Sequence, residues 1–301
     1  MDIRILRNFL AVCREENITR AAEVLHISQP SLSKQLKDLE EELEKQLLIR
    51  GKRKITLTQE GILLRKRAEE VVELYDKMER EMKSDLHEIC GTIGIGGAPT
   101  YDVLKVASWM REKYPDVQFE FYMNEETEVM ERLDHGTLDF AVILEPVDTV
   151  KYESISLSES YHWGVMMPAD CKFAANTTVT PDEIRSMPII MHKRAGLQRT
   201  ISSWAGTETE KLNIVATYNV MNGNPIKYVT SGLGYFLTTE ELLPETLDNR
   251  VCFKPLNPAL EIHFALVWKR HATLSRAAEY FLNKCKPHSR YFSDELGQEN
   301  I

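Results

Sequence analysis

Residues 21–40 read AAEVLHISQPSLSKQLKDLE, and the proline at position 30 decides how they fold. Ala21, Ala22, Leu25, Leu32, Leu36 and Leu39 keep a helical period across the stretch. Inside one continuous helix, proline removes a hydrogen bond and clashes with the preceding turn, at a cost of about 3 kcal/mol or more. The conflict disappears if Ser28 is an N-cap. Pro30 then stands in the first turn of a new helix, where a missing N–H has no partner to lose. The stretch becomes two helices. Small alanines let them cross closely, Leu32, Leu36 and Leu39 turn inward, and Gln29, Ser31, Ser33, Lys34 and Lys37 gather on the exposed start of the second.

Upstream, Leu6, Phe9, Leu10 and Cys13 make one face of another helix. Asn17 and Thr19 are both competent N-caps for the short helix that follows. This order is that of a helix-turn-helix, whose recognition helix offers its first residues to base edges in the major groove. Gln can bond adenine N6 and N7, Ser can donate or accept, and Lys suits guanine or phosphate. Downstream, Arg50, Lys52, Arg53 and Lys54 crowd a turn before Ile55 and Leu57. A basic turn on a short hairpin is a wing for phosphates or the minor groove.

Residues 60–89 carry no proline and no glycine after position 61. Leu64, Ala68, Val71, Tyr75, Met78 and Met82 recur at alternating spacings of four and three, a heptad seam. The reading is a long helix that pairs with a second copy. Two half-sites call for two recognition helices.

The remaining chain changes period. TIGIGG reads as a strand, APTYDVLKVASWMREKY as a helix, VQFEFYM as a strand, and ETEVMERLDHGTLDFAVIL as helix, Gly136 and strand. Tyr161–Pro168, Pro188–Met191 and IHFALVW read as further strands. NPIKYVTSGLGYFLT reads as a helix capped by Asn224, with Pro225 at its first position and Gly232 at its end, and SRAAEYFLNKC as a final helix. Such alternation gives a parallel α/β sheet, here in two lobes with crossings near 145–160 and 256–268.

The 301 residues carry a formal net charge of −9, yet residues 1–60 hold 11 Lys/Arg against 10 Asp/Glu, leaving 26 against 36 beyond them. The acidity therefore does not speak against nucleic acid at the N-terminus. Five cysteines, at 13, 90, 171, 252 and 285, show no CxxC spacing. They read as reduced thiols, with neither a disulfide frame nor a metal site. No signal peptide is apparent, and no apolar run approaches the ~20 residues that span a bilayer. The expected location is the cytoplasm, without membrane contact.

These residues resemble the LysR-type transcriptional regulators. AAEVLHISQPSLSKQLKDLEEELEKQLLIRGKRKITLTQEG follows the family pattern A-A-x-x-L-x-x-S-Q-P-x-x-S-x-Q-x-x-x-L-E-x-x-L and continues through R-x-x-R-x-x-x-L-T-x-x-G. Fainter echoes are HGTLDFAVI and SGLGYFLTTEELL. Three positions depart from it. Glu16 and Glu44 stand where the family commonly has Gly, and Leu48 where it has Phe.

The resemblance implies an α/β chain in three parts. Residues 1–60 form an all-α-plus-wing winged helix-turn-helix, and 61–89 a dimerisation linker helix. Residues 90–301 form a two-lobed effector domain similar to periplasmic binding proteins. Lobe 1 covers about 90–160 and 267–301, and lobe 2 about 161–266. It implies double-stranded DNA, a small-molecule effector and further copies of the chain as partners, with dimer or tetramer assembly. Gln29, Pro30, Ser33 and Lys34 match the family's base and groove contacts and Arg53 its wing contact. Ser31 and Lys37 are added from helix geometry, and Arg50 and Lys52 from the basic turn. Leu64, Val71, Tyr75, Met78 and Met82 are the expected dimerisation residues.

For the effector, the resemblance points to Ala98, Pro99, Thr100 and Tyr101, where a helix start offers free N–H groups to an anion. It adds Thr127 on the same lobe and the stretch 221–226 on the other, with Asn222, Asn224 and Ile226 foremost. Lys193, Arg194 and Arg199 supply cations to an acidic domain, so an anionic effector is expected to meet Arg194 or Arg199. Within the family a redox sensor is an alternative. The cysteine pair of peroxide-sensing members has no counterpart in RAGLQRTISSWAGTETE, although Cys171 and Cys252 remain available. A dinucleotide-dependent oxidoreductase is the rival of another class, because GIGGAPT follows a strand. Pro99 occupies the position of its third glycine. No nucleophile elbow or metal cluster is present, so neither catalytic residues nor a cofactor are expected.

Overall fold

The computed structural model describes residues 1–51, 54–83, 89–219, 225–243 and 248–286. Three helices open the chain: α1 (Ile3–Glu15), α2 (Ile18–Val24) and α3 (Gln29–Glu42). Each begins on a side-chain acceptor that satisfies otherwise orphaned N–H groups. Asp2 Oδ1 accepts from Ile5 N at 2.9 Å. Asn17 Oδ1, not Thr19, caps α2, taking Thr19 N and Arg20 N at 2.9 and 3.1 Å. Ser28 caps α3 with Pro30 in its first turn. Leu32, Leu36 and Leu39 are buried with Phe9, Val12, Ala21 and Ala22. At about 1.5–3 kcal/mol for each large apolar side chain, that trio holds α3 in place.

Strands β1 (Leu48–Arg50) and β2 (Ile55–Leu57) pair antiparallel, Leu48 opposite Leu57. Helix α4 (Gln59–Lys83) starts where Thr58 Oγ1 accepts Gly61 N at 3.0 Å.

The first lobe runs β3 (Gly91–Gly97), α5 (Tyr101–Lys113), β4 (Val117–Tyr122), α6 (Glu126–His135) and β5 (Phe140–Leu144). Strand β6 (Tyr152–Pro168) then leads into the second, with α7 (Pro181–Ser186), β7 (Ile189–His192), α8 (Ala195–Trp204), β8 (Ile214–Tyr218), α9 (Ile226–Thr230), β9 (Tyr235–Thr239) and β10 (Val251–Pro255). Strand β11 (Glu261–Lys269) and α10 (Arg276–Cys285) return to the first. The strand order is β4-β3-β5-β11-β6-β9-β7-β8, with β10 also on β6. In lobe 1, β3 pairs parallel to β4 and β5. In lobe 2, β7 pairs parallel to β8 and β9.

Strand β6 pairs with β11 up to His162 and with β9 from Trp163 onward, so one strand passes from lobe to lobe. The return to lobe 1 runs through β11. Phe264 to Val267 already pair with β5, and Phe264 and Leu266 belong to the lobe 1 core with Ile93, Ile95, Phe140 and Phe281. The chain re-enters lobe 1 at the start of β11.

Several elements were not read from sequence. YFLTT, which follows the helix expected to end at Gly232, forms β9, and LQRTISSW, to which the sequence reading assigns no element, lies in α8. The glycines of GIGG also gain a local reason. Gly97 has φ +84°, and a Cβ there would fall 2.1 Å from Val142 O. Glycine here serves strand packing, not a phosphate.

Candidate functional site

At the N-terminal end, the start of α3 is open. Gln29, Pro30, Ser31, Lys34 and Lys37 are exposed and Ser33 is half-buried. Arg50, at the end of β1, reaches back to Ser33, Nη1 to Oγ 3.4 Å, so wing and recognition helix meet at two of the expected residues. Lys37 shares its charge with Glu41 at 3.1 Å. Lys52 and Arg53 lie outside the described residues.

Three residues not singled out from sequence hold this surface. Asn8 Nδ2 donates to Gln35 Oε1 at 2.7 Å, bracing α3 against α1. Glu40 Oε1 accepts from Leu47 N and Leu48 N at 2.7 and 3.0 Å, fastening the wing to the far end of α3. Their signal was present, because Gln35 and Glu40 fall on named positions of the family pattern.

The departures from that pattern carry strain. Glu16 and Glu44 have φ +49° and +52°, the left-handed region that favours glycine. Glu16 has a partial offset, its carboxylate lying 3.3 Å from Lys54. Leu48 is buried in the helix-turn-helix core.

The expected seam of α4 divides. Leu64 packs on the core of the first three helices, Ala68 is buried, and Tyr75 is half-buried beneath the Arg7 guanidinium, 5.5 Å from its ring centre. Leu64 and Tyr75 thus serve the chain's own packing, because α1 lies along that part of α4. Val71, Met78 and Met82 are exposed, and so is Leu74 between them. Another face of α4 meets lobe 1 through charge. Lys66 pairs with Glu131 at 3.0 Å, Glu70 with His135 at 3.8 Å, Glu73 with Arg132 at 2.7 Å and Lys77 with Asp139 at 2.7 Å.

Between the lobes, the first turn of α6 faces the turn between β7 and α8. Glu125 accepts from Lys193 at 2.8 Å and from Asn219, and Glu126 pairs with Arg194. The two neighbouring carboxyls shift in opposite senses. Bonds from Lys193 and Asn219 hold Glu125 below the usual carboxylate range, while burial raises Glu126 against the pull of Arg194. His192 Nδ1 accepts Arg194 N at 3.0 Å, so its Nε2 carries the proton and donates to Asn219 O. Burial lowers its pKa.

At the start of α5, Thr100 Oγ1 is buried without a hydrogen-bond partner. Asp102 N donates to Glu159 Oε1 at 2.6 Å, so a carboxylate of β6 occupies the helix N-terminus where an effector anion was expected. Ala98 and Tyr101 are exposed, Pro99 half-buried and Thr127 exposed. Ile226 is buried with Met166, Ile190 and Phe236. Its side chain serves the core of lobe 2, a correction forced by α9 packing on the sheet. Asn222 and Asn224 lie outside the described residues. Arg199 is exposed on α8. Arg194 is not a cation in want of a counter-ion, since Glu126 supplies one.

A family model described as bacterial regulatory helix-turn-helix protein, lysR family, matches residues 3–62, and one described as LysR substrate binding domain matches 87–290. The chain belongs to the LysR family. It is a DNA-binding transcriptional regulator with an effector-binding domain, a reading that holds over the redox and oxidoreductase alternatives.

The HTH-type transcriptional regulator BsdA of Bacillus subtilis (strain 168) is 28% identical over 293 residues, 94% of this chain and 99% of its own. The Hca operon transcriptional activator HcaR of Escherichia coli (strain K12) is 29% identical over 90% of this chain and 92% of its own. Among solved structures, full-length CbnR complexed with its target DNA has a TM-score of 0.75 at 17% identity, covering 95% of this chain and 99% of that one. CbnR alone has a TM-score of 0.76 at 16%, covering 95% and 98%.

Three of the five cysteines are held in the thiol form by burial. Burial pushes Cys13 up to about 12 and raises Cys252 and Cys285, which withholds the reactive thiolate. No group of three metal-ligating side chains occurs among the described residues. No helix among them is long and apolar enough to cross a membrane.

Proposed function

We propose that this LysR protein reads double-stranded DNA through Gln29, Ser31, Ser33, Lys34 and Lys37, with Pro30 setting the helix start. Arg50, Lys52 and Arg53 of the wing hold the backbone. It acts in the cytoplasm as an assembly of two or more copies and catalyses no reaction. The exposed first turn of α3, joined to the wing by Arg50 and Ser33, is the observation that carries this reading. Binding of operator variants tests it. Gln29→Ala should flatten the preference at one base position by about 1–3 kcal/mol. Identical discrimination by parent and variant refutes the assignment.

The effector we infer is a small carboxylate entering between α5, α6 and the turn before α8. The support is chemical, in that Arg194, Lys193 and the N–H of Asp102 each already hold a carboxylate of the protein. An effector anion would replace one of them, with Thr100 and Thr127 beside its path. A thermal-shift screen of the full chain against carboxylates should find a hit that raises Tm by several degrees at saturation. A ligand at 100 times its Kd contributes about 2.7 kcal/mol. A hit confined to neutral or cationic compounds overturns the anionic class.

A further inference from the structure

A cavity of about 350 Å³ lies between the linker helix α4 and lobe 1, apart from the interlobe cleft. That volume falls in the range of small-molecule sites. Leu74 and Met78 of α4, with Leu133, Leu138 and Leu274 of lobe 1, give it an apolar lining. The segment Lys269–His271 gives it positive charge. Its acids and bases are unequally engaged. Asp139 accepts from Lys77 and from Gly94 N, and Asp134 from the Tyr152 hydroxyl. Lys269 Nζ, by contrast, reaches a carbonyl oxygen, that of Asp134 at 2.7 Å, and pairs with no carboxylate among the described residues. Arg270 donates to Thr149 O at 2.8 Å and stands 4.0 Å from Glu153, too far for a hydrogen bond. Glu81 also lines the cavity, and burial raises its carboxyl.

We propose that this cavity is a second ligand site, taking a small amphipathic carboxylate. Its apolar body would lie on Leu133, Leu138 and Leu274, beside α4, and its carboxylate at Lys269. The inference does not rest on the cleft as effector site. A ligand here touches both the linker helix and the effector lobe, so it favours the arrangement in which the two are docked. It reinforces the link made by Lys77 and Asp139 and stiffens the path from effector domain to DNA-binding domain.

Calorimetric titration of the full chain with hexanoate and benzoate tests the site. Saturable binding is expected, weakened about tenfold or more by Lys269→Met and by Ala272→Trp. Ala272 lines the cavity from an exposed position, so the added tryptophan is expected to occupy it. Arg194→Met in the interlobe cleft should leave the Lys269-dependent part of this binding unchanged, whatever it removes from the cleft. Absence of binding by either carboxylate up to about 10 mM overturns the proposal. So does an affinity indifferent to both cavity variants, and so does binding lost in Arg194→Met but kept in Lys269→Met, which would place the carboxylate in the cleft.

Discussion

Lys77 Nζ of the linker helix stands 2.7 Å from Asp139 Oδ1 of lobe 1, with 16% and 5% of the two side chains exposed. The ammonium also donates to Gly136 O at 3.0 Å, and the carboxylate accepts Gly94 N at 2.8 Å. The Lys66–Glu131 and Glu73–Arg132 pairs between α4 and α6 are more open to solvent, where such pairs contribute about 0–1 kcal/mol. The buried pair therefore decides how firmly α4 is held. Removing one partner leaves an uncompensated charge at a cost of about 3–5 kcal/mol. Lys77→Met should lower the urea midpoint accordingly, and Lys77→Met with Asp139→Asn should recover part of that loss. Equal stability of parent and single variant would show that α4 does not depend on this pair.

Glu44 has a left-handed backbone, φ +52°, and its side chain makes no ion pair or hydrogen bond among the described residues. Glycine adopts that conformation without the Cβ penalty, which is about 1 kcal/mol. Glu44→Gly should raise the Tm of the full chain by up to a few degrees. Glu16→Gly should gain less, because it gives up the contact with Lys54. A fall in Tm for Glu44→Gly would mean that the carboxylate does something the backbone does not reveal.

Glu16 and Glu44 also show what the sequence could reveal. Both stood out as departures from a glycine pattern, and both sit where glycine suits the backbone. Local signals were legible for the same reason. Ser28 with Pro30 marks the start of α3, and Gly136 marks the end of α6 with φ +76°. What stayed hidden depends on distant partners. Lys66, Glu70, Glu73 and Lys77 recur at spacings of four and three along α4, but nothing local says that they face lobe 1. Arg194 looked like a free cation because Glu126 lies 68 positions away in the chain. Leu64 and Tyr75 fit a heptad equally well whether the neighbour is a second copy or α1. Strand β9 begins only five residues after α9 ends, so its short apolar run carries no separate local mark.

His192 sets a pH dependence in lobe 2. Its neutral ring accepts from Arg194 N, and burial lowers its folded-state pKa below the ordinary 6.5. The unfolded chain therefore binds the proton more readily. Stability is complete above pH 6.5 and is lost as pH falls through the depressed folded value. Protonation also removes the acceptor that holds the turn before α8. His192→Gln should flatten the decline in stability as pH falls below 6.5. A decline of the same steepness in the variant would assign it to other groups.

Val71, Leu74, Met78 and Met82 leave an exposed apolar stripe along α4, with 49, 45, 48 and 74% of their surfaces open. Four such side chains at spacings of three and four form a strip that a second helix can cover. Pairing there would bring two α3 helices to one DNA site. Val71→Glu with Met78→Glu should shift the full chain towards monomer in sedimentation equilibrium, since burying each carboxylate is costly. The monomer should lose far more affinity for a two-half-site operator than for a single half-site. Leu64→Glu should instead destabilise the helix-turn-helix core, lowering Tm rather than dissociating the assembly cleanly. An assembly undisturbed by the double substitution would move the interface off α4, and the stripe would then need another partner.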